Sequence, residues 1–257
     1  MIQKEVSLYG YQFGNINRDK ETSISITLGR HIFSEDGEPI SYSGSNYTED
    51  TAQNHKPEYG NNTIAKDIND FISKTNASGG YYISRYEAGD ATATSSARTS
   101  STSDSNPIVS KAGVYPYNYI TQPQAASLCK SMYNNSNFES DLVNSYAWDT
   151  TIVFIQEFSG DNEYSRKSRL QNTIARCGEA TDGENKDIRC SIYDMAGNTS
   201  EWSTETGHLS PGSCIFRGGT YYTADTVNNS NIYTSDRNFF YPNRSNATIS
   251  ARIILYL

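Results

Sequence analysis

The run from 191 to 202, which reads SIYDMAGNTSEW, constrains the fold of this chain more than any other stretch. Its Gly197-Asn198 pair is a turn-forming dipeptide between an apolar segment and the acidic-aromatic pair Glu201-Trp202. A tight turn of this kind directs carboxylates and main-chain carbonyls toward one point. Oxygen ligands of these two kinds are the ones that calcium prefers in proteins. The run therefore predicts either a calcium-binding loop or a loop of the same shape that is purely structural.

Two carboxylates and two main-chain positions are the candidate calcium ligands. Asp194 and Glu201 would supply carboxylate oxygens, and the main chain around Gly197 and Thr199 would supply carbonyl oxygens. In the structural alternative, Asp194 only caps a turn, and Tyr193 and Trp202 belong to the core. The coincidence of two carboxylates with a Gly-Asn turn favours a structural calcium ion.

The same run is similar to the GLYDMxGNVWEW signature of the formylglycine-generating-enzyme-like (sulfatase-modifying factor) branch of the C-type lectin fold. Three more segments resemble motifs of that family. GGYYISRYEAG at 79–89 resembles its opening strand, and FRGGTYY at 216–222 resembles its RGGSW motif. ISARIILYL at 249–257 resembles its closing strand, GFRVALYL. The resemblance implies an α+β protein with two helices packed on irregular antiparallel sheets and much loop. It also places the family's second calcium site on Asp194, Gly197, Thr199 and Glu201. The chain departs from the family where Asp194 replaces the Asn of many members and Thr199-Ser200 replaces a Val-Trp pair.

The motifs divide the chain into an N-terminal accessory region, residues 1–62, and a C-type lectin-like domain, residues 63–257. Apolar residues recur at helical spacing in three parts of the domain. The first predicted helix follows a Thr63 cap and carries Ile64, Ile68, Phe71 and Ile72 on one face. The second spans 121–133 and is capped by Thr121. The third spans 145–158 and buries Trp148. Between the first two, Tyr82, Ser84 and Tyr86 alternate with Ile83 and Arg85, which predicts a strand with two different faces.

Two features near that strand are predicted to lie at the surface. Residues 91–106, which read ATATSSARTSSTSDSN, are of low complexity and predict a mobile loop, because they offer little apolar area to bury. Glu87 is interpreted as the partner of an ion pair at the end of the strand and not as a catalytic group.

Charge and hydropathy exclude two classes of partner. The net charge is −8, whereas binding to a phosphate backbone uses clustered Lys and Arg, so we do not expect a nucleic acid partner. No apolar run approaches the length of a membrane-spanning helix, and no apolar signal segment follows Met1. We therefore expect no membrane insertion, and this chain carries no signal peptide either because a cleaved signal does not direct its export or because its N-terminus has been trimmed.

Cysteine and histidine spacing does not predict a zinc site or a catalytic triad. Cys129, Cys177, Cys190 and Cys214 show no zinc-binding pattern, and the sequence fits a Cys177–Cys190 disulfide and buried free thiols equally well. His31, His55 and His208 are scattered and are interpreted as surface residues.

The C-terminal tract, residues 220–250, is the second informative region. Of its 31 positions, 21 are Asn, Ser, Thr, Tyr or Asp, and it lies between an Arg-Gly-Gly motif and a predicted buried strand. A polar segment held at both ends runs across the surface. Tyr offers contact area at little entropic cost, and Ser and Asn offer adaptable hydrogen bonds, as in antibody loops. The predicted ligand-binding residues are Thr220, Tyr221, Tyr222, Thr223, Asp225, Asn228, Asn229, Ser230, Asn231, Tyr233, Ser235, Asp236, Asn238, Phe239, Tyr241, Asn243 and Asn246.

The tract also resembles the variable region of diversity-generating-retroelement target proteins, many of which use this lectin-like scaffold. In those systems template adenines are randomised, so Asn codons become Tyr, Ser, Thr, Asp, Ile or Phe codons, and these residues recur here. The resemblance implies a variable protein on a phage tail or a bacterial surface that binds a protein or glycan receptor. The alternative is an Asn-rich genome, since Asn, Ser and Thr are frequent upstream as well. Clustering of Tyr and Phe in the tract favours a binding surface.

The resemblance also allows an enzymatic reading, which the residues do not favour. Oxidase members of the family carry redox cysteines shortly after the Arg-Gly-Gly motif, whereas the equivalent positions here, 221–229, hold no thiol and Cys214 precedes the motif. We therefore predict no enzymatic activity. The alternative is a family member with unrecognised chemistry, in which Glu201, Asp236 and Arg237 would line a cleft.

Overall fold

The structure of the chain is a computed structural model. It describes residues 10–13, 30–41, 47–48, 68–77, 80–100, 105–133, 138–168, 173–182, 185–207, 213–222 and 233–256. Of the predictions above, the Thr63 cap, the surface placement of His55 and His208, and the binding roles of Thr223, Asp225, Asn228, Asn229, Ser230 and Asn231 lie outside these residues.

Local sequence signals account for the ends of the helices. The helices are α1 (Ile68–Ala77), α2 (Gln122–Met132), α3 (Ser145–Ser159) and a 3-10 turn at Tyr164–Arg166. Thr121 caps α2, because its hydroxyl accepts from the Gln124 N–H while the Gln124 side chain accepts from the Thr121 N–H. Asn144 caps α3 through the Ala147 N–H at 2.9 Å, and Gly160 ends it in the left-handed region. The predictions of α2 and α3 are confirmed.

The strands form two larger sheets and several short hairpins. They are β1 (Gly10–Phe13), β2 (His31–Phe33), β3 (Pro39–Ser41), β4 (Tyr47–Thr48), β5 (Tyr81–Ser84), β6 (Gly89–Asp90), β7 (Ile108–Val109), β8 (Glu139–Leu142), β9 (Thr181–Asp182), β10 (Asn185–Lys186), β11 (Ile188–Arg189), β12 (Ile192–Tyr193), β13 (Ser200–Gly207), β14 (Cys214–Arg217), β15 (Arg237–Phe240), β16 (Ile249–Ala251) and β17 (Ile253–Tyr256). One sheet has the order β1-β5-β17-β8, and the other has the order β15-β14-β13-β16, with β4 also paired to β13. The fold is therefore α+β with much loop.

The four-stranded sheet separates two apolar cores. On β17, Ile254 packs with Trp148 and Tyr81 in one cluster, whereas Ile253 packs with Trp202 in the other. Successive strand residues point to opposite faces, so a strand covered on both sides must be apolar throughout. The same burial explains why β5 is buried at every position and lacks the two-faced pattern predicted from its alternation.

Two predictions about the surface need correction. The loop after β6 is anchored through the buried Asp90, whose carboxylate accepts from Thr92, Arg98 and Asn106. Arg98 also lies over the Tyr117 ring, 4.2 Å from its centroid. The described parts of 91–106 lie at the surface, as predicted, but are anchored to the buried Asp90, which the prediction of a mobile loop did not include. His31 is half-buried, and its ring nitrogens are inaccessible, because its strand packs against α3.

Candidate functional site

The loop at 190–199 has an unusual backbone that its sequence permits. Cys190, Ser191, Asp194 and Asn198 have positive φ angles of 50°, 60°, 63° and 62°. Asn and Asp tolerate the left-handed region better than other residues with a side chain. These turns bring the loop back on itself and direct Asp194 into the interior, where it is 1% exposed.

The Arg-Gly-Gly motif packs directly on this loop. A Cβ atom on Gly219 would overlap the Ala196 carbonyl, and one on Gly218 would lie 2.7 Å from the Met195 oxygen. The Tyr221 N–H donates to the Asn198 carbonyl at 2.7 Å. Glycine is needed here because two main chains approach closely. The two motifs singled out in the sequence therefore form one unit, and the C-terminal tract starts from it.

A buried carboxylate cluster, Glu87, Asp194 and Glu201, lies beneath the loop. Glu87 is fully buried and accepts hydrogen bonds from the Asn198 side chain and the Thr199 hydroxyl. Oδ2 of Asp194 accepts from the Gly178 N–H at 2.5 Å. No ion pair of Glu87 is found among the described residues, so the strand-end ion pair predicted for it was wrong. The sequence did not indicate this role of Glu87, because its hydrogen-bond partners are more than a hundred positions away.

Burial dominates the electrostatics of the carboxylate cluster. It raises the pKa of Glu87 well above 4.5, with Asp194 and Glu201 adding repulsion. It also raises the pKa of Asp194 well above 3.8, against the Gly178 hydrogen bond, which lowers it. Burial raises the pKa of Glu201 to about 7, although Arg252 opposes the shift. Charged carboxylates are costly in a dry interior unless a cation or a proton compensates them.

The predicted calcium ligands are close in the fold but are engaged elsewhere. Glu201 accepts two hydrogen bonds from Arg252 at Oε1, and the Thr199 hydroxyl donates to Glu87. Oδ1 of Asp194 and Oε2 of Glu201 are buried and have no hydrogen-bond partner among the described residues. Within the described parts of the chain, no group of three or more His, Cys, Asp or Glu side chains is arranged to hold a metal ion. The four residues as they stand do not form a cation shell, and calcium binding by them stays a prediction.

A second buried network, the ion-pair cluster of Asp149, Glu205, Arg217 and Arg237, fixes the start of β15. Arg217 Nη2 lies 2.6 Å from Asp149 Oδ1, and Arg237 contacts both carboxylates. Arg217 also donates to the carbonyls of Ser235 and Asp236 at 3.1 and 2.9 Å. Two guanidinium groups thus pair with two carboxylates, and all four side chains are at most 5% exposed. The tract is thereby tied to α3 and β13.

Further hydrogen bonds hold the backbone of the tract. The Thr234 N–H donates to the Lys167 carbonyl at 2.9 Å, and the Trp148 indole donates to the Thr234 carbonyl at 2.9 Å. Near its end, the Asn246 carbonyl accepts from the Tyr119 N–H at 3.0 Å. The described part of the tract is therefore a fixed surface segment.

The predicted binding residues differ in exposure. Tyr222, Phe239 and Tyr241 are exposed by 52, 49 and 51%, and Asn243 is also exposed. Half-buried positions are Tyr221, Tyr233, Ser235, Asp236, Asn238 and Asn246, whereas Thr220 is buried. Asp236 accepts from the Tyr233 N–H, and Arg166 covers the Tyr233 ring at 4.7 Å. The accessible part of the predicted surface thus centres on three aromatic side chains.

Two residues that lie beside tyrosines of the tract were not predicted. Tyr119 lies outside the tract, has a φ of 55°, and is close enough to Tyr221 to raise the pKa of that phenol, although burial is the larger cause. Arg244 is exposed and lies 5.7 Å from the Tyr241 ring centroid. No local signal identifies Tyr119, since only the fold brings it beside the tract.

Most of the residues named for the enzymatic alternative are buried. Glu201 is fully buried, and the Arg237 side chain is 5% exposed within the ion-pair cluster, so these two do not line an open cleft with Asp236. None of the four cysteines, which all lie in the described part of the chain, forms a disulfide, and Cys129, Cys177 and Cys214 are buried. Burial raises the pKa of the Cys129 and Cys177 thiols, which suppresses the reactive thiolate.

Comparison with known proteins gives distant structural neighbours only. No family model and no curated protein matches the chain. Similar solved structures include Treponema denticola variable protein 1 (14% identity, 70% of this chain and 85% of that one, TM-score 0.40). A second is CarF, with 13% identity over 69% of this chain and 87% of that one and a TM-score of 0.45. A third is PvdO from Pseudomonas aeruginosa, with 15% identity over 70% of this chain and 81% of that one and a TM-score of 0.39. Identities of this size do not transfer an activity. None of the described helices has the length and apolar character needed to cross a membrane.

Proposed function

We propose that this protein is a non-enzymatic receptor-binding protein and that its C-terminal tract is the binding surface. The scaffold would be a C-type lectin-like fold of the formylglycine-generating-enzyme type. The tract would be the variable region of a diversity-generating-retroelement target, displayed on a phage tail or a bacterial surface. Its receptor would be a protein or a glycan.

Exposed aromatic side chains carry this proposal. Among the described residues, eight large apolar side chains are exposed, and three of them, Tyr222, Phe239 and Tyr241, lie in the tract. A monomeric protein gains no stability from exposing large aromatic side chains. Tyr and other large aromatic residues dominate the energy of protein interfaces. Phe239 also lies on β15, an outer strand of its sheet.

The rigid base of the tract also supports the proposal. Residues 234–237 are held by hydrogen bonds to Lys167, Ser165 and Arg217 and by the Arg237 ion pairs. A surface that is already ordered loses little conformational entropy when it binds. Substitutions at exposed positions of such a segment leave the scaffold contacts unchanged. A variable binding protein requires that its exposed binding residues can change while the buried contacts that hold the segment stay the same.

The binding test compares two sets of exposed aromatic residues. The wild type is applied to a glycan array and to an array of bacterial surface proteins, together with the triple variant Tyr222→Ala, Phe239→Ala, Tyr241→Ala. We expect the triple variant to lose at least roughly 30-fold in affinity, since a loss of about 2 kcal/mol is typical of an interface hot spot. Its melting temperature should stay within about 2 °C of that of the wild type.

The matched control is the double variant Tyr133→Ala, Phe158→Ala, which removes aromatic side chains that are 40 and 41% exposed outside the tract. This control should bind like the wild type. Equal losses in both variants, or wild-type binding by the triple variant, would contradict the proposal. Independently, the coding DNA of 220–250 should have a nearby near-repeat that differs from it only at adenines.

A further inference from the structure

The guanidinium group of Arg252 occupies the centre of the buried loop region. Arg252 separates β16 from β17 and is fully buried. Nη2 donates to the Tyr193 carbonyl at 2.7 Å, and Nη1 donates to the Ser84 carbonyl at 2.9 Å. Nη1 also reaches the Arg85 carbonyl at 3.5 Å. One side chain thus joins the end of β5 to the start of the 190–199 loop.

The remaining donors of Arg252 are used by Glu201. Nε and Nη2 both donate to Oε1 of this carboxylate, at 3.0 and 2.7 Å. All five N–H groups of the guanidinium therefore have an acceptor, which is the full capacity of an arginine. The acceptors are one carboxylate and three main-chain carbonyls. This is the mixture of oxygen ligands that a loop uses to bind calcium.

The charges around Arg252 match a cationic role. Its guanidinium interacts favourably with all three members of the carboxylate cluster, Glu201, Glu87 and Asp194. Burial by itself disfavours a charged guanidinium, and these carboxylates outweigh that cost. Among the described residues, Arg252 is also the only basic side chain that forms an ion pair with Glu201, at 2.7 Å.

We propose that Arg252 is the resident cation of the 190–199 loop and that its guanidinium group occupies the position predicted for calcium. Because this cation is covalently attached, it cannot dissociate, and the order of the loop does not depend on the concentration of a divalent metal. Through the Arg-Gly-Gly motif packed on the loop, the origin of the C-terminal tract is independent of metal as well. The unpartnered oxygens of Asp194 and Glu201 are then features of the guanidinium site and not ligands awaiting a metal.

The first test needs only the wild type. The protein is dialysed against EDTA, and its melting temperature is measured in EDTA, in millimolar calcium chloride and in millimolar magnesium chloride. We expect the three temperatures to agree within about 1 °C. A calcium ion bound at a hundred times its Kd would raise the melting temperature by roughly 5–10 °C. A rise that grows with calcium concentration would overturn the proposal.

The second test removes the guanidinium. Arg252→Met keeps most of the side-chain length and should lower the melting temperature by roughly 10 °C in EDTA, because buried carboxylates lose their partner. Arg252→Lys keeps the charge but not the five-donor fork, and its loss should be intermediate. Arg244→Met, which removes an exposed arginine, should change the melting temperature by no more than about 2 °C.

The lysine variant and the wild-type metal titration keep the proposal testable if Arg252→Met does not fold. If Arg252→Met or Arg252→Lys melts at the same temperature as Arg244→Met, the guanidinium does not brace the loop, and the proposal is wrong. None of these measurements depends on a receptor, so they can fail or succeed independently of the proposed function.

Discussion

Arg217 and Asp149 are 68 positions apart in sequence, yet Nη2 of the guanidinium lies 2.6 Å from Oδ1 of the carboxylate, and both side chains are fully buried. This contact joins the Arg-Gly-Gly motif to helix α3. The same carboxylate pairs with Arg237 at the start of β15. Asp149 therefore anchors the chain at Arg217 and again at Arg237; Tyr222 lies between these two anchors, and Phe239 and Tyr241 follow the second.

Substitution of Asp149 tests this support directly. Asp149→Asn leaves two buried guanidinium groups with Glu205 as their remaining acidic partner, and we expect it to lower the free energy of unfolding by about 3–5 kcal/mol. Urea denaturation measures this change. Glu157→Gln, on the exposed side of the same helix, should change it by less than about 0.5 kcal/mol. Equal effects of the two substitutions would show that the ion-pair cluster does not stabilise the fold.

The same carboxylate predicts a dependence of stability on pH. Burial alone would raise the pKa of Asp149, but Arg217 and Arg237 outweigh it and hold this pKa below 3.8. The unfolded chain therefore takes up the proton first as the pH falls. Stability from Asp149 is fully present above pH 3.8 and is lost as the pH falls through the folded-state pKa. The difference in unfolding free energy between wild type and Asp149→Asn should shrink in acid, and a difference that is constant with pH would contradict this prediction.

The close approach of the two sequence motifs predicts a large effect at Gly219. In Gly219→Ala the new methyl group overlaps the Ala196 carbonyl, which is backbone and cannot move cheaply. We expect a loss of about 3 kcal/mol in unfolding free energy. Gly160→Ala is the matched control, since no atom lies within 4 Å of its added Cβ and only the left-handed backbone, with φ of 72°, disfavours alanine. The control should lose roughly 1 kcal/mol, and a smaller loss at Gly219 than at Gly160 would mean that the two motifs are not packed this closely.

Elements that depend on neighbouring residues were predicted well. The capping box of α2 involves only Thr121 and Gln124, and the stripe that buries Trp148 repeats within one helix. Strand β5 was located correctly, but its burial on both faces was missed, because that depends on β1, β17 and two separate cores. The loop after β6 was predicted to be mobile, since nothing near it in sequence shows that Asp90 holds it.

In the candidate site, too, local features were predicted from the sequence and long-range contacts were not. The resemblance identified the 191–202 run and the Arg-Gly-Gly motif as two motifs of one family, whereas their packing against each other is a finding of the structure. Neither motif indicated that Glu87 accepts from Thr199 or that Arg252 binds Glu201, contacts that span 112 and 51 positions. Within the tract, composition alone could not separate the buried Thr220 from the exposed Tyr222.

By itself, the sequence determined the ends of α2 and α3 and the polar, tyrosine-rich character of the C-terminal tract, because each depends on residues a few positions apart. The α+β class was implied by the resemblance of its motifs to a known family. Only the tertiary structure decided which charges meet in the interior and which aromatic side chains remain in solvent. The physical reason is that the pairing of a buried charge and the exposure of a side chain depend on what distant segments place beside it.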